Sequence, residues 1–297
     1  MILASLRRRS ADLTARGRLP NFILIGATKC GTTSLHAWLG THPDVFMHPW
    51  KEMRFFNEEG EWHRGVDWYR AQFADAGDAL AAGEASNGYT RHPVYAGAPE
   101  RIARTSPDVR LVYLVREPMR RLESHYRHRL VTGMEWRPPD EAFRADPGYV
   151  AAGRYGTQLQ RYLEHFPRER ILVLQSERLF AEPGRELPRL AEHLGIPADH
   201  GVSFAARNET AHRPVAPTGL RRLSRFPAAR AASRRLARTI GRSPLARLAP
   251  TADVPAYELS PDLRRELADL YEHDRRLLAM LAGTQAADWA PTSEDIQ

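Results

Sequence analysis

Lys29 and Lys51 are the only lysines in a chain of 297 residues that carries forty-one arginines. Each sits among residues with chemical potential. Lys29 lies in Gly26-Ala27-Thr28-Lys29-Cys30-Gly31-Thr32-Thr33-Ser34, directly after the apolar run Phe22-Ile23-Leu24-Ile25. A compact ammonium fits inside a small loop as a point charge, where a planar guanidinium fork is bulkier and more demanding. An apolar strand, a loop with two glycines and a helix opening on Thr-Thr-Ser form an anion-binding device. Unpaired backbone N–H groups and the positive end of the helix dipole aim at one point. Lys51 precedes Glu52 in Lys51-Glu52-Met53-Arg54-Phe55-Phe56. Spacing alone leaves Glu52 open between a catalytic carboxylate and a surface acid ahead of a buried aromatic pair.

The anion loop is not that of a nucleoside-triphosphate enzyme. Gly26 and Gly31 have the separation of Gly-x-x-x-x-Gly-Lys-Ser/Thr, but Thr32 stands where the lysine belongs, and the lysine is displaced to position 29. A magnesium-dependent site also wants an aspartate at the end of a second strand. Leu111-Val112-Tyr113-Leu114-Val115 ends instead in Arg116-Glu117-Pro118. A cation there suits a metal-free anion site, and no His/Cys/Asp pattern suggests metal ligands.

These residues need a scaffold, and the hydrophobic pattern supplies one. Strand-like runs at Phe22–Ala27, Leu111–Val115 and Ile171–Leu174 lack polar alternation. Helical spacing recurs from Ser34 through Leu35, Trp38 and Leu39, and after Pro118 through Leu122, Tyr126 and Leu130. It recurs over Gly156–Phe166, through Leu187, Leu190 and Leu194, and from Pro261 to Leu281. Fully apolar strands separated by helices predict an α/β fold, a single P-loop-like three-layer α/β/α domain around a central parallel sheet.

Composition sets further bounds. Hydrophobic residues make up 42% and charged residues 27% of the chain, as in soluble globular proteins. The single cysteine, Cys30, excludes an internal disulfide framework and fits a reducing compartment. The opening Met1-Ile2-Leu3-Ala4-Ser5-Leu6-Arg7-Arg8-Arg9 has the wrong order for a secretory signal, and no run approaches the roughly 18 apolar residues of a membrane span. The expectation is a cytoplasmic protein, and the arginine bias suggests a GC-rich, bacterial genome. A basic segment, residues 1–19, precedes one domain over 20–297. Within it, residues 208–255 form an arginine-rich excursion. Nine arginines and no acid lie between Gly219 and Arg247, so the net charge of +7 falls to −2 without them. A charge this local does not make the chain a nucleic-acid binder. The segment reads as a solvated face or mobile flap, an attractor of an anionic ligand, a closure over a bound phosphate, or a peripheral contact with anionic lipid through Leu220, Leu223 and Phe226.

The Lys29 loop with Gly31-Thr32-Thr33-Ser34, followed later by Arg116-Glu117-Pro118-x-x-Arg121-x-x-Ser124-x-Tyr126, resembles the sulfotransferases that use 3′-phosphoadenosine 5′-phosphosulfate (PAPS). Glu52-Met53-Arg54-Phe55-Phe56 is similar to the Glu-x-x-Phe-Phe of the heparan-sulfate-type branch and its bacterial relatives. Glu84-Ala85-Ser86-Asn87-Gly88-Tyr89 is similar to that branch's Glu-Lys-Ser/Thr-x-x-Tyr. The resemblance covers roughly residues 20–200 and implies roles position by position. Lys29, Gly31, Thr32, Thr33 and Ser34 would hold the 5′-phosphosulfate, with Lys29 acting on the transferring oxygens. Arg116 and Ser124 would bind the 3′-phosphate, with Arg213 joining from a late loop. Glu52 would take the proton from the acceptor. The implied reaction moves a sulfuryl group from PAPS to a hydroxyl or amine of a carbohydrate, lipid or secondary metabolite, leaves adenosine 3′,5′-bisphosphate and needs no metal. Ala85 departs from the branch's lysine, and Arg54, in place of its usual histidine, is a candidate substitute. Arg121 fits a structural ion pair as well as a phosphate contact and is left out of the site, while His125 and His128, three apart on one helix, are expected in core or solvent. Two other classes compete: an ATP- and magnesium-dependent small-metabolite kinase, and a non-catalytic basic adaptor acting through residues 219–247.

Overall fold

A computed structural model describes residues 17–198, 201, 203–205 and 257–289. The chain runs through β1 (Phe22–Gly26), α1 (Thr32–Leu39), β2 (Val45–Met47), α2 (Gly65–Ala71), β3 (Ala81–Ala85), α3 (Ala98–Thr105), β4 (Arg110–Val115) and α4 (Pro118–Val131). It continues through α5 (Pro139–Ala145), α6 (Gly148–Ala151), α7 (Tyr155–Leu163), β5 (Ile171–Gln175), α8 (Ser176–Ala181), α9 (Pro183–Leu194) and α10 (Pro261–Ala282).

The five strands form one parallel sheet in the order β2-β3-β1-β4-β5. Every residue of β1 and β3 is buried. Successive side chains of a strand point to opposite faces, so both faces of the sheet centre are covered, as an all-parallel sheet requires. The expected α/β architecture is present. β1 passes between β3 and β4, and the chain leaves its carboxyl end for the far edge of the sheet. That reversal opens a crevice at the carboxyl ends of the central strands, the usual ligand position in open α/β sheets.

Two strands have no counterpart in the hydrophobic pattern. β2 is only three residues long, and β3 reads Ala-Ala-Gly-Glu-Ala. Their reason is tertiary: β3 gives β1 its second hydrogen-bonded neighbour. A Cβ at Gly83 would lie 2.4 Å from the Phe22 ring, so only glycine leaves that ring its place.

Helix ends follow from local chemistry. Glu117 caps α4 by accepting from Met119 N and Arg120 N, and Pro118 occupies the first turn. Gly195, left-handed at φ 69°, stops α9. Ser260 caps α10 through Leu263 N and is itself held by Asp140. Buried Asp274, far along α10, accepts from Gly156 N at 2.7 Å and Thr157 N at 2.9 Å, capping the start of α7 from outside. Leu263, Leu267 and Tyr271 of α10 join Leu122, Tyr126 and Leu130 of α4 in a second apolar cluster beside the main core. This cluster fixes α4, and with it everything α4 presents at the crevice.

Candidate active site

A cleft of about 930 Å³ opens at the carboxyl end of the sheet, and residues following all five strands line it. After β1 come Lys29 and Gly31 to Ser34. After β2 come Lys51, Glu52 and Arg54. After β3 come Asn87, Gly88, Arg91 and Tyr95. After β4 come Arg116, Arg120 and Ser124, and after β5 come Ser176, Glu177 and Phe180.

The anion loop is shaped by two left-handed residues, Lys29 at φ 72° and Gly31 at φ 85°. Gly31 is the N-cap of α1 and offers no side chain to its first turn. A Cβ there would meet the Phe180 ring at 2.8 Å, so both conformation and space demand glycine. Ser34 N and Leu35 N bond back to Gly31 O. The N–H groups at the very start of a helix have no intrahelical acceptor, and here that start faces the cleft. Arg116 leaves β4 and reaches the loop, donating from a terminal guanidinium nitrogen to Lys29 O at 3.4 Å. Ser124, two turns into α4, lines the same wall.

Across the cleft, Met53, Phe55 and Phe56 are buried while Lys51, Glu52 and Arg54 turn outward. Phe55 stacks on Tyr69 at 4.2 Å between ring centroids, anchoring the segment. Both Glu52 (φ 66°) and Arg54 (φ 53°) are left-handed, an uncommon state for residues with side chains. Lys51 Nζ lies 2.9 Å from Glu52 Oε1, and Asn87 N donates to Glu52 Oε2 at 3.1 Å. A carboxylate accepts up to about four hydrogen bonds, so Glu52 keeps acceptor capacity on its open side.

The structure therefore brings Lys29, Gly31, Thr32, Thr33, Ser34, Glu52, Arg116 and Ser124 to one cavity. Arg213 and the basic excursion lie outside the described residues. Arg121 is fully buried away from the cleft, donating to Tyr149 O and facing His125 Nδ1 at 3.4 Å. His125 and His128, expected in core or solvent, both reach the lining. Burial and the neighbouring Arg121 charge hold His125 well below the usual histidine range, so it faces the cleft neutral. Ala85 is buried within β3, and the cations on that side come from Lys51, Arg54 and Arg91. Seven cations against three acids (Glu52, Asp146 and Glu177) give the lining four excess positive charges. Among the described residues, no group of three or more His, Cys, Asp or Glu side chains is placed to hold a metal ion. No described helix is long and apolar enough to cross a membrane.

The sulfotransferase domain family matches residues 19–234, more than half of the chain. The chain belongs to the sulfotransferase family. It is 32% identical over 192 residues to heparan sulfate glucosamine 3-O-sulfotransferase 3A1 of Mus musculus, covering 60% of this chain and 46% of that protein. It is 26% identical over 209 residues to the bifunctional heparan sulfate N-deacetylase/N-sulfotransferase 3 of Homo sapiens, covering 63% of this chain and 24% of the relative. The matched region thus spans less than half the length of these relatives. A solved sulfotransferase from Alicyclobacillus acidocaldarius superposes with a TM-score of 0.62 at 26% identity, covering 89% of this chain and 95% of that one.

Several lining residues of the cleft escape sequence reasoning. Lys51 carried a signal, its rarity, but nothing in the sequence joined it to Glu52 as a partner. Arg91, Arg120 and Arg129 carried none, because forty-one arginines give no one of them distinction. Tyr95, between the Arg54 and Arg91 guanidinium groups at 5.9 and 5.1 Å from its ring centre, becomes visible only in three dimensions.

Proposed function

We propose that the cleft transfers the sulfuryl group of PAPS to a hydroxyl or amine by in-line displacement, with Glu52 as proton acceptor. The observation that carries this reading is one cavity joining the Lys29 loop, the Arg116–Ser124 wall and Glu52. Lys29 and the N–H groups at the start of α1 hold the 5′-phosphosulfate. Arg116 and Ser124 hold the 3′-phosphate. The acceptor oxygen or nitrogen forms a bond to sulfur while the bridging bond from sulfur to the 5′-phosphate oxygen breaks. Glu52 takes the acceptor's proton and the phosphate leaves with the electron pair, giving adenosine 3′,5′-bisphosphate. The transition state is loose and its charge rests on peripheral oxygens, so position and positive potential do most of the work. Lys51 holds Glu52 Oε1 and leaves its open side toward the acceptor.

On the acceptor side Arg54, Arg91 and Tyr95 form a polar, cationic wall. The relatives' glycan names favour a carbohydrate acceptor, and lipids and secondary metabolites remain within the reading. The lone buried thiol of Cys30 favours a cytoplasmic enzyme. We read residues 20–297 as one catalytic domain and assign residues 219–247 to attraction of an anionic acceptor or membrane surface. A transfer screen with labelled PAPS over sugars, lipids and phenols tests the reaction. The wild-type chain should label at least one acceptor, with Glu52→Gln failing on the same acceptor; equal labelling by the variant would remove Glu52 from the mechanism.

A further inference from the structure

Glu84 is fully buried at the end of β3, and no step of the proposed reaction uses it. Its Oε2 accepts from Ser86 Oγ at 2.7 Å, and its Oε1 accepts from Tyr89 Oη at 2.5 Å and Tyr69 Oη at 3.3 Å. Two of these hydroxyls also face the Glu52 segment: Arg54 N donates to Ser86 Oγ at 2.9 Å, and Phe56 N donates to Tyr89 Oη at 3.4 Å. A hydroxyl has one proton to give. With Glu84 ionised, as it is above about pH 7, each of Ser86 and Tyr89 gives its proton to the carboxylate and is thereby left with lone pairs turned to the segment. We propose that Glu84 is a positioning residue for Glu52, acting through the proton direction it imposes on Ser86 and Tyr89.

The segment needs such a hold. Glu52 and Arg54 both sit in the left-handed region, where an L side chain crowds its own backbone, and only surrounding contacts keep them there. Met53, Phe55 and Phe56 anchor the segment by burial, but burial alone does not fix which way the peptides between them face. The two N–H bonds to hydroxyls fix it at positions 54 and 56, on the carboxyl side of Glu52. Glu52 N, bonded to Ala85 O at 2.8 Å, fixes the other side. The catalytic carboxylate is clamped from both directions, and the second clamp ends on Glu84.

Glutamine at this position keeps the shape and loses the logic. Its amide presents one acceptor and one donor, so either Ser86 or Tyr89 meets an N–H and must turn its own proton toward a backbone N–H of the segment. Two donors then face each other, and that link opens.

The inference rests on Glu52 being the proton acceptor, so its test separates the clamp from the chemistry. Amide hydrogen exchange of the whole chain is compared for wild type, Glu84→Gln and Ser86→Ala, well above the pH of about 7 at which Glu84 loses its proton. In parallel, sulfate release from PAPS to water and the affinity for adenosine 3′,5′-bisphosphate are measured. In both variants exchange over residues 51–57 should rise about tenfold or more while β4 stays protected. Sulfate release at saturating PAPS should fall by about tenfold with KM for PAPS and nucleotide affinity within about twofold of wild type, a split that general destabilisation does not produce. Should Glu84→Gln fail to fold, Ser86→Ala, which keeps Glu84 intact, carries the same readouts. Wild-type exchange over 51–57 in the folded variants overturns the proposal. Faster exchange there with unchanged sulfate release would instead keep the clamp and discard Glu52 as the base.

Discussion

Lys51 Nζ and Glu52 Oε1 are 2.9 Å apart at the mouth of the cleft, so one of the chain's two lysines is bonded to the carboxylate that we assign to catalysis. The pair is partly exposed, with 20% and 38% of the two side chains open to solvent. Exposed pairs stabilise folds by about 0–1 kcal/mol, so the contact is better explained by what it does to Glu52 than by stability. Lys51→Ala should leave the thermal midpoint nearly unchanged and lower kcat by about tenfold, through loss of one charge-assisted hydrogen bond to the base. Parallel melting curves and turnover assays check both halves.

Lys29→Ala removes the cation inside the anion loop. Losing one group of this kind costs about 3–4 kcal/mol of transition-state stabilisation, a fall in turnover on the order of 10²–10³. Glu52→Gln should lower turnover by about 10²–10⁴. The two differ in binding: only Lys29→Ala should weaken adenosine 3′,5′-bisphosphate, as read by calorimetry.

Gly31→Ala should damage the loop and the fold together. The left-handed backbone and the Phe180 ring 2.8 Å from the added carbon each oppose it. A loss of about 1–3 kcal/mol in urea unfolding is expected, with nucleotide binding weakened in the molecules that remain folded.

Glu84 gives stability a definite pH slope. Burial raises its carboxyl to about 7, and the nearby Glu52 charge adds to that, against the lowering bonds from Tyr89, Ser86 and Tyr69. The native state keeps this proton from about pH 4.5 to about 7, a window in which the unfolded chain has released it. The native state binds more protons there, so stability falls as pH rises through the window and levels above it. The effect is on the order of a few kcal/mol at most. Urea midpoints at both ends of the window should drop less in Glu84→Gln than in wild type. An equal drop would remove Glu84 as the source.

Much of this was legible in the sequence, for identifiable reasons. β1, β4, β5 and α9 are long or periodic enough that their residues alone predict them, and the anion loop announces itself by lysine among arginines. β3 was not legible, because Ala-Ala-Gly-Glu-Ala has no strand preference and becomes a strand only by lying beside β1. The clamp on Glu52 was illegible for a similar reason. Glu84 looks like one more acid until the sheet buries it and three hydroxyls converge on it. Helix spacing assigned His125 and His128 to core or solvent, but it cannot report that a separate wall leaves a cavity opposite them.

Calorimetry without added metal tests most directly whether the donor pocket grips PAPS at both ends. Adenosine 3′,5′-bisphosphate should bind at least about tenfold more tightly than 5′-AMP, the worth of one charge-assisted contact to the 3′-phosphate, and Arg116→Ala should erase the difference. Equal affinity of the wild-type chain for the two nucleotides would contradict the account.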